Sequence, residues 1–94
     1  MFWLLFYDYV EDVAERRAPL RDVHLALIRE TTGEGTLLVA GALADPLDGA
    51  VFVFAGDRSA VEDFVAEDPY VREGLVTGWR VRSWTVVSGA DRFS

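Results

Sequence analysis

Between Pro19 and Thr32 the apolar side chains return at helical spacing, and the stripe they draw passes through the chain's one histidine. Leu20, His24, Leu27, Ile28 and Thr31 fall at i, i+4, i+7, i+8 and i+11, which lines one face of a helix with 3.6 residues per turn. The segment is therefore read as a helix, with Pro19 in its first turn, where a missing N–H costs nothing, and with Gly33 and Gly35 as its stop. His24 points towards whatever this helix packs on. A titratable imidazole there has two ordinary explanations: a core histidine satisfied by a local hydrogen bond, or the wall of a cavity that takes small molecules.

A second helical stripe starts near Ser59. Ser59 and Glu62 fit the S-x-x-E capping box, in which two side chains satisfy two orphan N–H groups at a helix start. Val61, Phe64 and Val65 form the inward face, and the same stripe continues one turn on to Asp68. Pro69 ends the helix, because the residue before a proline is pushed out of the α region.

The remaining apolar segments have strand character. Phe2 to Tyr7 is a continuous apolar run, as in a strand covered on both faces. Residues 8 to 18 form a charged connection with room for a helical turn. Thr36 to Leu43 is a second strand, in which Gly41 permits a bulge or the close approach of another group. The turn chemistry of Asp45-Pro46-Leu47-Asp48-Gly49 joins it to a third, Ala50 to Ala55, as an antiparallel hairpin. Trp79 to Val87 alternates as the last strand, and residues 88 to 94 are a loose end from which Phe93 can dock on a partner.

Strand, helix, strand, strand, helix, strand is the split βαβ order. It predicts an α+β, ferredoxin-like βαββαβ fold, a four-stranded antiparallel sheet with both helices on one face. Ninety-four residues suit a single domain spanning 1–94, and a chain this short buries only about 60–65% of its unfolded surface. With 51% apolar residues, including six Phe, three Trp and three Tyr, the uncovered sheet face calls for a second copy, so a homodimer or higher homo-oligomer is expected.

Sixteen acidic residues against nine Arg, with no Lys, repel phosphate backbones and anionic membrane surfaces, so nucleic acid and membrane are not expected partners. The absence of cysteine rules out disulfides and thiolate metal sites, and one histidine cannot build a multi-histidine metal site. The opening Met-Phe-Trp-Leu-Leu-Phe-Tyr lacks a basic leader region and meets Asp8 at once. It reads as a strand rather than a signal, and a cytoplasmic protein is expected.

Residues able to do chemistry cluster on the two helical stripes. In this topology the helices lie side by side, so Asp68 can meet His24, and a carboxylate on one ring nitrogen raises the basicity of the other. Asp68 before Pro69 is equally a standard N-cap for a short helix, a role compatible with the first. Arg21 either presents a guanidinium to an anionic ligand or is a surface arginine paired with Asp22 or Asp68. Tyr7 and Tyr70 offer hydroxyls at a pocket rim or aromatic packing, and Gly41 offers close approach to the backbone. There is no P-loop, G-x-S-x-G elbow or dinucleotide fingerprint.

Arg21-x-x-His24-Leu25, the Gly-x-Leu-Leu-Val-Ala-Gly run at 35–41 and Asp68-Pro69-Tyr70-x-x-x-Gly74-Leu75 together resemble the YciI-like (YCII-related) family over nearly the whole chain. The resemblance implies a dimeric α+β barrel with a His–Asp site carried by His24 and Asp68. It further implies kinship with a dehydrochlorinase of a chlorinated hydroxyquinol, and a fold shared with muconolactone isomerases and cofactor-free monooxygenases. Ala42 departs from the family's commoner glycine–proline pair, at the rim of the cleft. The expected function is thus acid/base chemistry, without a cofactor or metal, on a small cyclic or aromatic compound. The alternative is a non-catalytic ligand-binding or assembly dimer.

Overall fold

The computed structural model describes residues 1–93, and it has the predicted order and one four-stranded sheet. Strand β1 (Phe2–Tyr9) is followed by a one-turn helix α1 (Val13–Arg16), a 3₁₀ turn (Ala18–Leu20) and the long helix α2 (Arg21–Gly33). Strands β2 (Leu37–Ala42) and β3 (Gly49–Ala55) form the hairpin; helix α3 (Arg58–Glu67), one-turn helix α4 (Pro69–Arg72) and strand β4 (Val76–Trp84) complete the sheet. The strand order is β2-β3-β1-β4 and every adjacent pair is antiparallel, the ferredoxin-like protomer architecture.

Period-two alternation along β1 decides what each face becomes. Leu5 lies opposite Phe52 and Val81, and Tyr7 opposite Ala50, all beneath the helices. Val61, Phe64 and Val65 of α3 close over them, so the predicted inward stripe is the buried one. Burying each large apolar side chain here contributes about 1.5–3 kcal/mol relative to leaving it in water. The other face carries Phe2, Leu4 and Phe6 with Val51, Arg80, Arg82 and Trp84, and it is only partly covered. Arg80 sits over the Phe6 ring at 4.5 Å, and Phe93 packs on Phe2 with ring centroids 5.6 Å apart. The Phe93 ring, expected on a partner, is therefore used within its own chain.

Several boundaries differ from the sequence expectation for identifiable reasons. Pro19 belongs to the 3₁₀ turn, and the α-helix proper starts at Arg21. The Ser59–Glu62 capping box does not form: α3 begins at Arg58 with Asp57 at the N-cap and no side-chain cap bond, which places Ser59 inside the first turn. The β2 bulge falls at Leu38, between the pairs Leu37–Phe54 and Val39–Val53, and not at Gly41. In the hairpin connection the positive φ is at Asp45, while Gly49 is needed for space, because a Cβ there would run into the Tyr7 carbonyl oxygen. Strand β4 starts at Val76 and ends at Trp84. The tail beyond it includes a 3₁₀ turn (Ala90–Phe93) and is not loose throughout; its last residue, Ser94, lies outside the described residues. No helix among the described residues is long and apolar enough to cross a membrane.

Candidate functional site

Asp68 is the hub of the site, and backbone chemistry puts it there. Pro69 forces Asp68 out of the helix into extended geometry, φ −70° and ψ 119°, between α3 and α4. From that corner its Oδ1 accepts the Tyr70 N–H at 3.0 Å, which caps α4. The same oxygen lies 2.7 Å from His24 Nδ1, and Oδ2 accepts the Tyr7 hydroxyl at 2.7 Å. The carboxyl group is fully buried, at 0% exposure, so these three partners replace its water. The cap role and the histidine contact, read from the sequence as compatible, coexist in one side chain.

His24 is held from two directions. Its Nδ1 hydrogen is assigned from the carboxylate it faces, which leaves the Nε2 lone pair as the free end of the neutral ring. The Tyr70 ring lies flat on the imidazole, with centroids 3.7 Å apart and planes within 7°. Stacking fixes the ring plane.

The tyrosines respond to the same burial. Burial, then the neighbouring Asp68 charge and hydrogen bond, push the Tyr7 hydroxyl far above the ordinary tyrosine range, so it stays a donor to Oδ2. Burial also raises Tyr9, with Asp68 and Tyr70 adding to it, against Arg17 and Arg21. Tyr70 is raised by burial, opposed by the same two guanidinium groups. Its hydroxyl is buried and has no hydrogen bond of good geometry, although Arg21 lies near enough to act on it.

Beside this network is a cavity of about 190 Å³, bordered by His24, Tyr70, Tyr9, Phe52 and two arginines, Arg17 and Arg21. Gly41 and Ala42 of β2 form part of the opposite wall, with open space where a Gly41 Cβ would stand. Of the residues singled out from the sequence, His24, Arg21, Gly41 and Tyr70 border the cavity, while Asp68 and Tyr7 lie behind the imidazole. For Tyr7 the sequence leaves a rim hydroxyl or aromatic packing open. It does pack on Phe52, and its hydroxyl is inside, against Asp68. Arg21 does not pair with Asp22 or Asp68; among the described residues the ion pairs are Arg16–Asp12 and His24–Asp68.

Arg17 and Tyr9 are the polar cavity residues absent from the sequence expectation, along with apolar wall residues such as Ala50 and Phe52. The signal for Arg17 was present: Arg17, Arg21, His24 and Ile28 stand at i, i+4, i+7 and i+11, but the stripe crosses Pro19, which looked like its start. Tyr9 continues the Leu5–Tyr7 alternation past Asp8, where the apolar run stops. No group of three or more His, Asp or Glu able to hold a metal ion occurs among the described residues.

Comparison with known proteins places this geometry. An uncharacterized protein of Haemophilus influenzae is 28% identical, over 80% of this chain and 87% of its own. The 5-chloro-2-hydroxyhydroquinone dehydrochlorinase TftG of Burkholderia phenoliruptrix, solved with 2,5-dihydroxybenzoquinone, superposes with a TM-score of 0.76 at 20% identity, covering 90% of this chain and 94% of the other. A candidate antibiotic biosynthesis monooxygenase of Bacteroides thetaiotaomicron follows, with a TM-score of 0.57 at 18% identity over 96% and 91% of the two chains. At these identities the two structures bear on the fold alone, that of the dimeric α+β barrel proteins. The sequence profile of the YCII-related domain matches residues 1–85, all of the sheet and both halves of the His24–Asp68 pair, and the chain belongs to the YCII-related family.

Proposed function

We propose that this protein is an acid/base catalyst acting on a small hydroxylated ring, with Nε2 of His24 as the group that takes and returns the proton. The observation that carries the reading is the imidazole itself: Nδ1 engaged by a fully buried carboxylate, and the ring bordering a cavity of about 190 Å³. A cavity of about 150 Å³ accommodates benzene, so this one is the size of a single substituted ring. Asp68 orients the imidazole and balances the charge it acquires; Tyr7 and the Tyr70 N–H hold Asp68 in place.

The likeness to TftG supports a dehydrochlorinase-like version. In it, His24 moves a proton from a hydroxyl of a chlorinated hydroquinol to the carbon bearing chlorine. A second hydroxyl then loses its proton, the C–Cl electron pair leaves with chloride, and a hydroxyquinone remains. The net change is loss of HCl. The ring is oxidised as the C–Cl bond becomes C–H, so the balance requires no outside oxidant or cofactor.

In the same reading the partly covered sheet face, with Phe2, Leu4, Phe6 and Val51, meets a second copy of the chain, which closes the barrel. Sedimentation analysis gives a dimer if this holds. The catalytic claim is tested by chloride release from 5-chloro-2-hydroxyhydroquinone. His24→Gln and Asp68→Asn, each shown folded by circular dichroism, lower kcat by about 10²–10⁴-fold. Turnover unchanged in folded His24→Gln removes the histidine from the chemistry.

A further inference from the structure

The cavity has a second polar wall that proton transfer by His24 does not use. Arg17 and Arg21 stand four residues apart on the approach to α2 and both border the cavity. Among the described residues neither meets a carboxylate, in a chain with sixteen acidic residues against nine arginines. Two guanidinium groups free of carboxylates thus border one cavity in a chain of net charge −7. Beside them Tyr70, 2% exposed, borders the same cavity, and its buried hydroxyl has no hydrogen bond of good geometry, with Arg21 the cation near enough to act on it. Buried hydroxyls are otherwise nearly always paired, so this one has bonding capacity to spare beside Arg21.

We propose that the ring taken by this site is an anion, its ionised oxygen held by Arg17 and Arg21, with the Tyr70 hydroxyl backing Arg21, while the ring lies against His24. The inference rests on the acid/base reading of the same cavity and names its substrate class. Planar guanidinium forks match a carboxylate and a ring enolate or phenolate alike, because each presents delocalised negative oxygen in a plane. The arrangement also bears on the chemistry. When His24 takes a proton, negative charge spreads through the ring towards the oxygen the arginines hold, and fixed positive charge there stabilises it without reorganisation.

Titration calorimetry with two pairs of probes tests this: benzoate against benzamide, and 2,5-dihydroxybenzoquinone, an enolate at neutral pH, against hydroquinone. Imidazole NMR signals of the lone histidine are followed in parallel. One or both anions bind at least tenfold more tightly than the neutral partner. Arg17→Gln and Arg21→Gln each weaken the anion by about tenfold to a hundredfold and leave the neutral ring unchanged. Preference for benzoate assigns a carboxylate, and preference for the quinone a ring enolate; either upholds the anion site. Both variants remove positive charge near a helix N-terminus, where it is disfavoured, so folding is expected to survive.

Equal binding of neutral and charged rings, or anion binding indifferent to both arginines, overturns the anion site and leaves the acid/base reading standing. Arginine-dependent anion binding to a protein whose folded His24→Gln variant turns over normally upholds the site and overturns the role of the histidine. Binding of none of the four probes overturns both.

Discussion

The two ends of α2 carry opposite charge, in the sense the helix dipole disfavours. At its N-terminal end Arg17 and Arg21 border the cavity beside His24; at its C-terminal end Glu30 and Glu34 face Asp63 and Glu67 of α3 across a second groove. The positive pole of the helix thus meets guanidinium groups and the negative pole meets carboxylates, with Asp22 the one acidic residue of the first turn and no basic residue in the last. The two ends differ more in what lies beneath them. Under the cationic end is a buried polar network in which one carboxylate has three partners, whereas the anionic end is a set of exposed carboxylates on a solvated surface. The helix gives up dipole stabilisation at both ends, and at the cationic end the charges that cost it border the cavity beside the buried network.

The largest test of this contrast is truncation of a carboxylate at each end. Asp68→Ala strips the acceptor from Tyr7, His24 and the Tyr70 N–H together and lowers unfolding free energy by about 3–5 kcal/mol in urea titrations. Asp63→Ala or Glu67→Ala stays within about 0.5 kcal/mol. Comparable losses at the two ends would erase the distinction.

A smaller effect isolates the donor side. Tyr7→Phe leaves Oδ2 buried with one partner fewer and costs about 1–3 kcal/mol. The same tyrosine makes the protein sensitive to alkali. Burial raises Tyr7, Tyr9 and Tyr70 in the folded state, whereas in the unfolded chain they ionise near about pH 10. The folded state therefore binds more protons above that pH. The stabilisation is complete below about pH 10 and is lost as pH rises beyond it. Stability measured from pH 8 to 11 falls along this curve, and Tyr7→Phe makes the fall shallower.

The smallest effect has the opposite sign. Arg21→Gln and Glu30→Gln each relieve an unfavourable dipole contact and stabilise the fold by about 0.3–1 kcal/mol, read as a rise in Tm. Arg21→Gln does so while weakening ring binding; Glu30→Gln does so without it. Equal effects of the two on binding would mean that the charge of the whole helix, rather than its position at the cavity, governs the ligand.

Much of the architecture was legible because period sets partner. The stripe through His24 and that of Val61, Phe64 and Val65 both face the sheet, and a split βαβ order leaves their two helices on the same side, which allows the contact at 2.7 Å; the extended corner at Asp68 before Pro69 completes it. Parity along β1 carries the placement of Tyr7 too, since it shares the buried face with Leu5 and so points under the helices rather than to a rim. Other features were hidden by competing local signals. Pro19 looks like a helix start and masks the continuation of the stripe to Arg17. Ser59 and Glu62 match a capping box that the chain does not use, because Asp57 already stands one residue ahead of the helix. The pairing of Phe93 with Phe2 joins positions at opposite ends of the sequence, beyond any periodicity argument.

One consequence follows from the double duty of Asp68 as cap of α4 and partner of His24. A drifting sequence cannot adjust that wall of the cavity without disturbing the chain direction between α3 and α4, so variation there is penalised twice. The facing wall is under no such restraint. Gly41 has vacant space where a side chain would begin, and Ala42 beside it is small and exposed, so larger residues at these positions change the shape of the cavity at little cost to the fold. Descendants of such a chain would diverge in what they accept by altering β2, while inheriting the proton-handling side unchanged.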